Sequence, residues 1–344
     1  MAAEPVWEMS ANRRRAKAMS RQRVLAAVAA LVTLQVAQGT AAAQEPSWDY
    51  PRIPSLTLTD AQFLRGDKAA GVPAELSAVL QLPGGIPGPL PAVVLLHGSG
   101  GYGSGSVDSW VDTLQPLGIA TLALDSFHGR GFERTTYDQA QLGLLAMVYD
   151  VYRSVEVLAS DPRIDPGRIA VMGFSRGGTA VLRASMKRFQ RLYGPGSTRI
   201  AAFLAFYPGC NLSLAEELGI GDAPIRLFQG ADDDWTLAAP CLDYANRLRL
   251  AGGDVEMIQY PGALHNFDII DLGPEPTRIE KGQNAARCEL REANTQIVNA
   301  ETGAAFTWRD PCVKLGATIA YNDAAYQAAK ADVSAFLVKV FGLH

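Results

Sequence analysis

One serine of the chain lies in a pattern typical of enzymatic nucleophiles. The sequence G-F-S-R-G at 173–177 places Ser175 between two glycines, and it is the one G-x-S-x-G of the chain. The glycines permit a tight turn that presents the serine Oγ free of neighbours, and a helix beginning there stabilises developing negative charge. The short pattern also arises by chance, so its context matters. A strand pattern at 168–172 precedes it and a helical pattern at 176–187 follows, which favours the nucleophile.

A serine nucleophile needs a base, and the histidines leave few candidates. The chain has four histidines, and only His265 and His344 follow Ser175. When the serine lies in this kind of turn, the acid and then the histidine follow it along the chain. His344 is the last residue of the sequence, whereas His265 lies in a loop after the strand pattern 255–260. A lone histidine is more often solvated or structural, but this position favours His265 as the general base.

Three consecutive aspartates are candidates for the acid. A strand pattern at 225–228 leads to Asp232, Asp233 and Asp234. One carboxylate would accept the Nδ1–H of the histidine, and the others would cap turns or carry surface charge. The residue types alone leave the choice open. Asp125 is less favoured because it precedes the nucleophile.

A glycine-rich loop follows the strand pattern 92–96. Its sequence is H-G-S-G-G, and its backbone N–H groups at Ser99 and Gly100, with that of Arg176, are the predicted oxyanion hole. The alternative is a glycine-rich turn with no catalytic role. We expect His97 to brace this loop rather than to transfer a proton.

Strands alternate with helices along the chain. The strand patterns cover 78–82, 92–96, 119–124, 168–172, 200–206, 225–228 and 255–260, and the helical patterns cover 137–160, 176–187, 237–250 and 323–340. This order predicts the α/β class, with a mostly parallel sheet, helices on both faces and the ligand beyond the carboxyl ends of the strands. The domain spans 76–344.

Two segments depart from this alternation. Residues 44–75 are rich in loop formers and are interpreted as an N-terminal strap. Residues 271–322 are polar and are interpreted as an insertion beside the active site, with a hairpin that pairs 296–300 with 304–308.

The N-terminus has the pattern of a signal peptide at 1–43. Basic residues at 13–23 precede an apolar run at 24–37 and small residues at 40–43. The alternative is a membrane anchor, but the apolar run is shorter than the roughly 20 residues that a span needs. We therefore expect a periplasmic or secreted protein with no stable membrane anchor.

Charge and cysteine content narrow the possible functions further. Residues 1–43 carry six basic and two acidic side chains, so the net charge of −4 becomes −8 without them. An acidic chain with no basic stripe argues against a nucleic-acid partner. Four cysteines in an exported protein suggest disulfides, and our preferred pairing is Cys210 with Cys241 and Cys288 with Cys312. Since no C-x-x-C occurs, we expect no zinc or redox site, and a serine mechanism needs neither a metal nor a cofactor.

Several stretches together resemble the dienelactone hydrolase family of α/β-hydrolases. They are 93–98, 125–131, 173–178, 206–210, 230–236 and 265–268. The resemblance implies the α/β-hydrolase fold over most of 75–341 and places the acid at Asp233. It also implies that the substrate is bound by residues of these stretches: Arg130, Phe127, Trp235 and Phe267.

The chain departs from the namesakes of that family in three respects. They use a cysteine where this chain has Ser175, they are cytosolic, and they hold the substrate carboxylate with two arginines. Arg130 corresponds to the first of these arginines, whereas Ile269 stands at the position of the second. The resemblance therefore implies hydrolysis of neutral small-molecule esters or lactones rather than of dienelactone.

Two other functions remain as alternatives. An amidase or peptidase would share the fold and the Ser-His-Asp residues. A non-catalytic binding protein would share the scaffold only. The sequence predicts neither the oligomeric state nor the acyl group.

Overall fold

A computed structural model describes residues 46–343 of the chain. Its principal strands are β1 Ser47–Asp49, β2 Arg52–Thr57, β3 Val72–Leu82, β4 Leu90–Leu96, β5 Ala120–Asp125, β6 Ile164–Phe174, β7 Ala202–Phe206, β8 Leu212–Ser213, β9 Ile225–Gly230 and β10 Val255–Tyr260. Its α-helices are α1 Asp60–Arg65, α2 Ser106–Leu114, α3 Ala146–Ala159, α4 Arg176–Ala184, α5 Lys187–Tyr193, α6 Ala238–Leu250 and α7 Asp323–Phe341. The predicted signal peptide, 1–43, lies outside the described residues.

The central sheet is mostly parallel, as predicted. Its order is β1-β3-β5-β4-β6-β7-β9-β10, with β2 also paired along β3. The six strands from β5 to β10 in this order are parallel, whereas β1, β2 and β3 form an antiparallel edge. Residues of β4, β5 and β7 are buried without exception, which explains their continuous apolar sequences. The α/β class is confirmed.

The central position of β6 determines where chemistry is possible. β6 lies between β4 and β7, and Ser175 follows its last residue. The carboxyl ends of parallel strands meet at one edge of the sheet, so the loops after β4, β9 and β10 converge there. α3 and α4 pack against each other beside β6, and α2 contacts α7.

The predicted helix 137–160 begins late, at Ala146. Residues 137–145 form no α-helix: the Leu142 carbonyl accepts a hydrogen bond from the Arg176 guanidinium, and the Gly143 carbonyl accepts both Arg176 Nη2 and the Ala146 N–H. Asp138 also caps a single 3₁₀ turn at Gln139–Gln141. The loop that results reaches the candidate site.

The segment 44–75 was predicted to be a loop-rich strap, and its described part has more regular structure. β1 and β2 extend the sheet edge, and α1 carries a capping box between Thr59 and Gln62. The strap prediction missed these strands because β2 includes a proline. As an edge strand it tolerates that residue.

The insertion 271–322 has a different hairpin from the predicted one. β13 Leu290–Ala293 pairs with β14 Gln296–Asn299 across a two-residue turn at Asn294 and Thr295, which have φ of 48° and 59°. The predicted pairing of 296–300 with 304–308 is reduced to one bridge, Val298 with Ala305. The turn was missed because Asn-Thr is not one of the glycine-containing pairs that signal such hairpins.

Four two-residue strands hold the remainder of the insertion together. They are β11 Thr277–Arg278, β12 Gln283–Asn284, β15 Lys314–Leu315 and β16 Thr318–Ile319. β11 pairs with β16 and β12 with β15, so the two ends of the insertion run side by side.

Two disulfides are present, in the preferred pairing. Cys210 bonds Cys241 and joins the loop after β7 to α6, with a Cα–Cα distance of 5.0 Å. Cys288 bonds Cys312 and closes the insertion, with a Cα–Cα distance of 5.1 Å. Among residues 46–343, no helix is both long enough and apolar enough to cross a membrane.

Candidate active site

Ser175 lies on a strained turn between β6 and α4. Its φ of 52° and ψ of −114° are unusual for a residue with a side chain. A Cβ at Gly173 would lie 2.3 Å from Gly177 O, and one at Gly177 would lie 2.5 Å from Leu96 O. Both glycines are therefore required by close backbone approach, as the sequence pattern indicated.

His265 lies between Ser175 and Asp233. Its Nε2 is 3.0 Å from Ser175 Oγ, and its Nδ1 is 2.8 Å from Asp233 Oδ2. The histidine side chain is 2% exposed. Asn266, directly after it, has φ of 62° and turns the chain so that the ring faces the serine. The structure brings together the three residues that the sequence predicted as the triad.

The Asp233 carboxylate is held by donors from its own loop. Oδ1 accepts the N–H groups of Trp235 and Thr236, both at 2.8 Å. Oδ2 accepts the Thr236 hydroxyl at 2.9 Å and Gln229 Nε2 at 3.2 Å. These bonds fix the carboxylate so that Oδ2 faces His265.

The neighbouring aspartates have other contacts. Asp232 is exposed. Asp234 accepts the N–H of Thr318 at 2.7 Å and its hydroxyl at 2.9 Å, so it binds the insertion. Geometry therefore distinguishes three residues that sequence pattern alone could not.

The loop after β4 passes directly over the serine. A Cβ at Gly98 would lie 3.1 Å from Ser175 Cβ. The Ser99 carbonyl accepts the Thr135 N–H at 2.9 Å and the Thr136 hydroxyl at 3.0 Å. Ser99 and Arg176 both line the cavity, whereas Gly100 packs against Ser104.

His97 braces this loop, as expected. Its Nε2 accepts the Ser126 N–H at 3.1 Å, so Nδ1 carries the proton and donates to Gly98 O at 2.8 Å. Complete burial lowers the pKa of His97, which keeps the ring neutral.

A cavity of about 110 Å³ opens beside Ser175. Its walls are largely apolar and come from the loop before α3, from α6 and from the insertion: Leu144, Leu145, Trp235, Leu237, Pro240, Ala285, Ala286, Leu290 and Trp308. Within the part of the chain that the structure describes, Arg176 is the one ionisable side chain of its lining.

The four predicted substrate-binding residues are not brought together. Trp235 lines the cavity, with its ring centroid 5.2 Å from that of His265. Phe127 is fully buried and packs against His97. Phe267 is fully buried beside Tyr207 and Tyr260, behind the histidine loop.

Arg130 has a structural environment. Its guanidinium bonds both Asp150 oxygens at 2.8 Å, and its side chain is 2% exposed. It also donates to Thr57 Oγ1, Ser126 O and Leu56 O. Every nitrogen of the guanidinium is therefore engaged by the protein, which the sequence alone could not indicate.

Ile269 does not face the cavity either. It is 3% exposed, and its Cγ2 lies 3.1 Å from the position of a Cβ at Gly105. Ile269 therefore carries no information about the charge of the substrate.

Arg176 is buried without a carboxylate among its hydrogen-bond partners. Nη1 donates to Gln139 Oε1 at 2.6 Å, and Nη2 donates to Gly143 O at 2.8 Å and to Leu142 O. Burial lowers the pKa of Arg176 to about 10, while the charge of Asp60 raises it, so the side chain stays protonated at neutral pH.

A second buried carboxylate lies behind the histidine. Asp268 accepts the Tyr207 hydroxyl and Trp110 Nε1, both at 2.7 Å. Burial raises the pKa of Asp268 to about 6, although these two bonds and the charge of His265 lower it. The Tyr207 ring lies 4.6 Å from the His265 ring, so Asp268 supports the histidine through the tyrosine.

Sequence reasoning missed several residues that shape the site. Thr236 lies 3.2 Å from His265 Nδ1 and also binds Asp233, and Gln283 of the insertion accepts Trp235 Nε1 at its carbonyl. Thr236 belongs to a stretch that the family resemblance covers, so only its role was missed. Gln283 had no signal, because the insertion matches no motif.

The model of one protein family, the dienelactone hydrolase family, matches residues 76–300. The chain belongs to the dienelactone hydrolase family. This membership supports an ester-type hydrolase acting on a small molecule, and it confirms the resemblance read from the sequence.

Solved structures share the α/β-hydrolase fold of this family. A dienelactone hydrolase-like promiscuous phosphotriesterase from metagenomic libraries has a TM-score of 0.54 at 16% identity, covering 85% of this chain and 98% of its own. Esterase 2 of Thermogutta terrifontis, phosphorylated by paraoxon, has a TM-score of 0.53 at 17% identity, covering 78% and 90%. At these identities the likeness concerns the fold. A search of curated proteins found no match.

Proposed function

We propose that this member of the dienelactone hydrolase family is a serine esterase that cleaves neutral carboxylic esters or lactones through an acyl-enzyme. The observation that carries the proposal is the continuous hydrogen-bonded chain Ser175–His265–Asp233 at the edge of an apolar cavity. Family membership and the strained serine turn support it.

The proposed mechanism follows from these distances. Ser175 Oγ attacks the ester carbonyl while His265 Nε2 takes its proton, and Asp233 stabilises the imidazolium through Nδ1. The backbone N–H groups of the Ser99 loop and of Arg176 are the candidate donors to the oxyanion. His265 returns the proton to the leaving alcohol, and water activated by the same histidine releases the acid.

The lining of the cavity favours a neutral substrate. A buried carboxylate of the substrate would need a cation with free donors. The Nη atoms of Arg176 already donate to protein oxygens, and the remaining walls are apolar or uncharged. Short alkyl or aryl acyl groups would contact the apolar side chains of the lining, Trp235 and Trp308 among them, and gain from burial there.

Export is the second part of the proposal. The two disulfides suit an oxidising compartment such as the periplasm or the exterior. The signal peptide proposed for 1–43 would take the protein there.

The test is Ser175→Ala, with Ser160→Ala as control, since Ser160 is an exposed serine at the end of α3. Loss of a triad nucleophile costs on the order of 10⁶ in kcat, so hydrolysis of a 4-nitrophenyl ester should fall to background. Mass spectrometry of the quenched wild-type reaction should show one acyl group on the Ser175 peptide. Near-normal turnover by Ser175→Ala would refute the proposal.

A matched ester and anilide of the same acyl group separates the esterase from the amidase. The esterase predicts that the ester reacts much faster. Labelling by a fluorophosphonate, lost in Ser175→Ala, separates both enzymes from a non-catalytic binding protein.

A further inference from the structure

Gln139 lies at the meeting point of the two halves of the proposed oxyanion hole. It is 5% exposed and lines the cavity. Its Oε1 accepts Arg176 Nη1 at 2.6 Å, and its Nε2 donates to Ser99 Oγ at 3.0 Å. One side chain thus joins the residue after the nucleophile to the loop after β4.

Further bonds hold Gln139 in place. The Thr135 hydroxyl donates to its Oε1 at 3.1 Å, and the Thr135 N–H donates to Ser99 O at 2.9 Å. On the outer side, the Gln139 N–H donates to Gln283 Oε1 at 2.7 Å, and the Gln283 N–H donates to Thr136 O at 3.0 Å. The insertion therefore holds residues 135–139 in place, and these residues in turn hold the Ser99 loop.

This arrangement matters because an oxyanion hole depends on the spacing of its donors. Donors must lie about 2.7–3.1 Å from the oxyanion that develops during the reaction, not from the carbonyl oxygen of the bound ester. The N–H of Arg176 is fixed by α4, whereas the N–H of Ser99 lies on a glycine-rich loop outside the sheet. The loop needs a restraint that α4 does not need.

We propose that Gln139 is a positioning residue that sets the distance between the Ser99 loop and the start of α4, with Gln283 of the insertion holding it from outside. The inference rests on the proposed esterase function. Gln139 touches no reacting atom in it and acts through Ser99 and Arg176.

The experiment compares Gln139→Ala, Gln139→Glu and Gln296→Ala. Gln296 is an exposed glutamine of the insertion 271–322, which also contains Gln283, and it serves as the control. Loss of a whole oxyanion donor costs about 10²–10³ in kcat, so a misplaced donor should cost roughly 10–100-fold. We expect this loss in Gln139→Ala with KM changed less than threefold. Gln139→Glu keeps the acceptor for Arg176 but replaces the Nε2 donor to Ser99 Oγ by a negative charge near the oxyanion, so it should recover little of kcat. Gln296→Ala should match the wild type.

The affinity for a transition-state analogue distinguishes positioning of the oxyanion hole from a merely structural role, which would leave this affinity unchanged. Affinity for a trifluoromethyl ketone, which forms a tetrahedral oxyanion adduct with the serine, should fall by the same factor as kcat. Affinity for the uncleaved amide analogue of the ester should stay within threefold. If Gln139→Ala does not fold, Gln283→Ala should show the same pattern at about three- to tenfold.

The outcomes separate this inference from the proposed function. Unchanged kcat and unchanged ketone affinity in Gln139→Ala, with Ser175→Ala inactive, would overturn the role of Gln139 alone. Equal losses for the ketone and the amide analogue would also overturn it, because they indicate a general disturbance of the cavity. Retained turnover in Ser175→Ala would instead overturn the proposed function.

Discussion

Two Asp–His pairs of the chain have nearly the same local geometry. Asp233 Oδ1 accepts the N–H groups two and three residues later, and Oδ2 lies 2.8 Å from His265 Nδ1. Asp125 Oδ1 likewise accepts the N–H groups of Phe127 and His128, and Oδ2 lies 2.5 Å from His128 Nδ1.

The positions of the two aspartates in the sheet are also equivalent. One lies after β9 and the other ends β5, and both strands are two places from β6. The difference is the histidine. His265 comes from another loop and its Nε2 reaches Ser175, whereas His128 is three residues from its own aspartate and its side chain is 29% exposed. Under the proposed function, the pair that acts in catalysis is therefore the one whose histidine comes from another loop and reaches Ser175.

The largest expected effect tests this difference directly. Asp233→Asn should lower kcat by on the order of 10⁴, because the asparagine amide stabilises the wrong histidine tautomer. Asp125→Asn, the matched control, should change kcat per folded molecule by less than about tenfold. Asp232→Asn and Asp234→Asn should also cost far less than Asp233→Asn. A larger loss at Asp125, Asp232 or Asp234, measured by ester turnover, would contradict the assignment of Asp233.

Arg130 extends the comparison of the two Asp–His pairs, since it lies in the loop after β5, the strand that ends at Asp125. Arg130→Ala would leave Asp150, which is fully buried, without its cation. Breaking a buried ion pair typically costs about 3–5 kcal/mol. We expect a loss of that size in the free energy of unfolding by urea, with kcat/KM on a neutral ester within threefold for the folded fraction.

The control for this change is Arg134→Ala, an exposed arginine of the same loop. It should shift the free energy of unfolding by less than about 1 kcal/mol. A stable Arg130→Ala variant that selectively loses activity on acidic esters would return Arg130 to substrate binding.

Because Asp268, behind His265, is buried, we expect the free energy of unfolding to depend on pH. Burial raises its pKa from 3.8 to about 6, so the folded state binds more protons than the unfolded state between these values. Its contribution to stability is therefore complete below pH 4 and is lost as the pH rises through 6. Two pKa units correspond to roughly 3 kcal/mol.

The measurement is urea unfolding at pH 4, 5, 6 and 7. Asp268→Asn should remove this part of the pH dependence, whereas Asp271→Asn, an exposed neighbour, should keep it. Identical profiles for Asp268→Asn and the wild type would show that Asp268 does not titrate in this range.

The sequence predicted the core of the site better than its surroundings, for a physical reason. Ser175, Asp233 and His265 each follow a strand that the sequence pattern predicted, so their convergence is a consequence of sheet topology. Arg130 and Gln139 could not be judged, since whether a polar side chain faces the cavity or a partner such as Asp150 depends on tertiary contacts. The hairpin of the insertion failed because an Asn-Thr turn carries no strong local signal.

The smallest expected effect concerns the substrate and contrasts Arg130 with Arg176. Arg130 is paired with Asp150, and the Nη atoms of Arg176 donate to Gln139, Leu142 and Gly143. The Nε of Arg176 has no partner but is itself buried, so neither guanidinium offers an exposed donor to a substrate carboxylate. The comparison uses 4-nitrophenyl esters of butyric acid and of succinic acid, which have the same chain length and differ by a terminal carboxylate. We expect the neutral ester to be faster by at least tenfold in kcat/KM, which is about 1.4 kcal/mol, and faster than dienelactone by the same factor. The reverse order would show that Arg176 exchanges a protein acceptor for the substrate carboxylate. In that case Arg176→Lys, which loses the planar pair of donors, should reduce activity on the succinate ester more than on the butyrate ester.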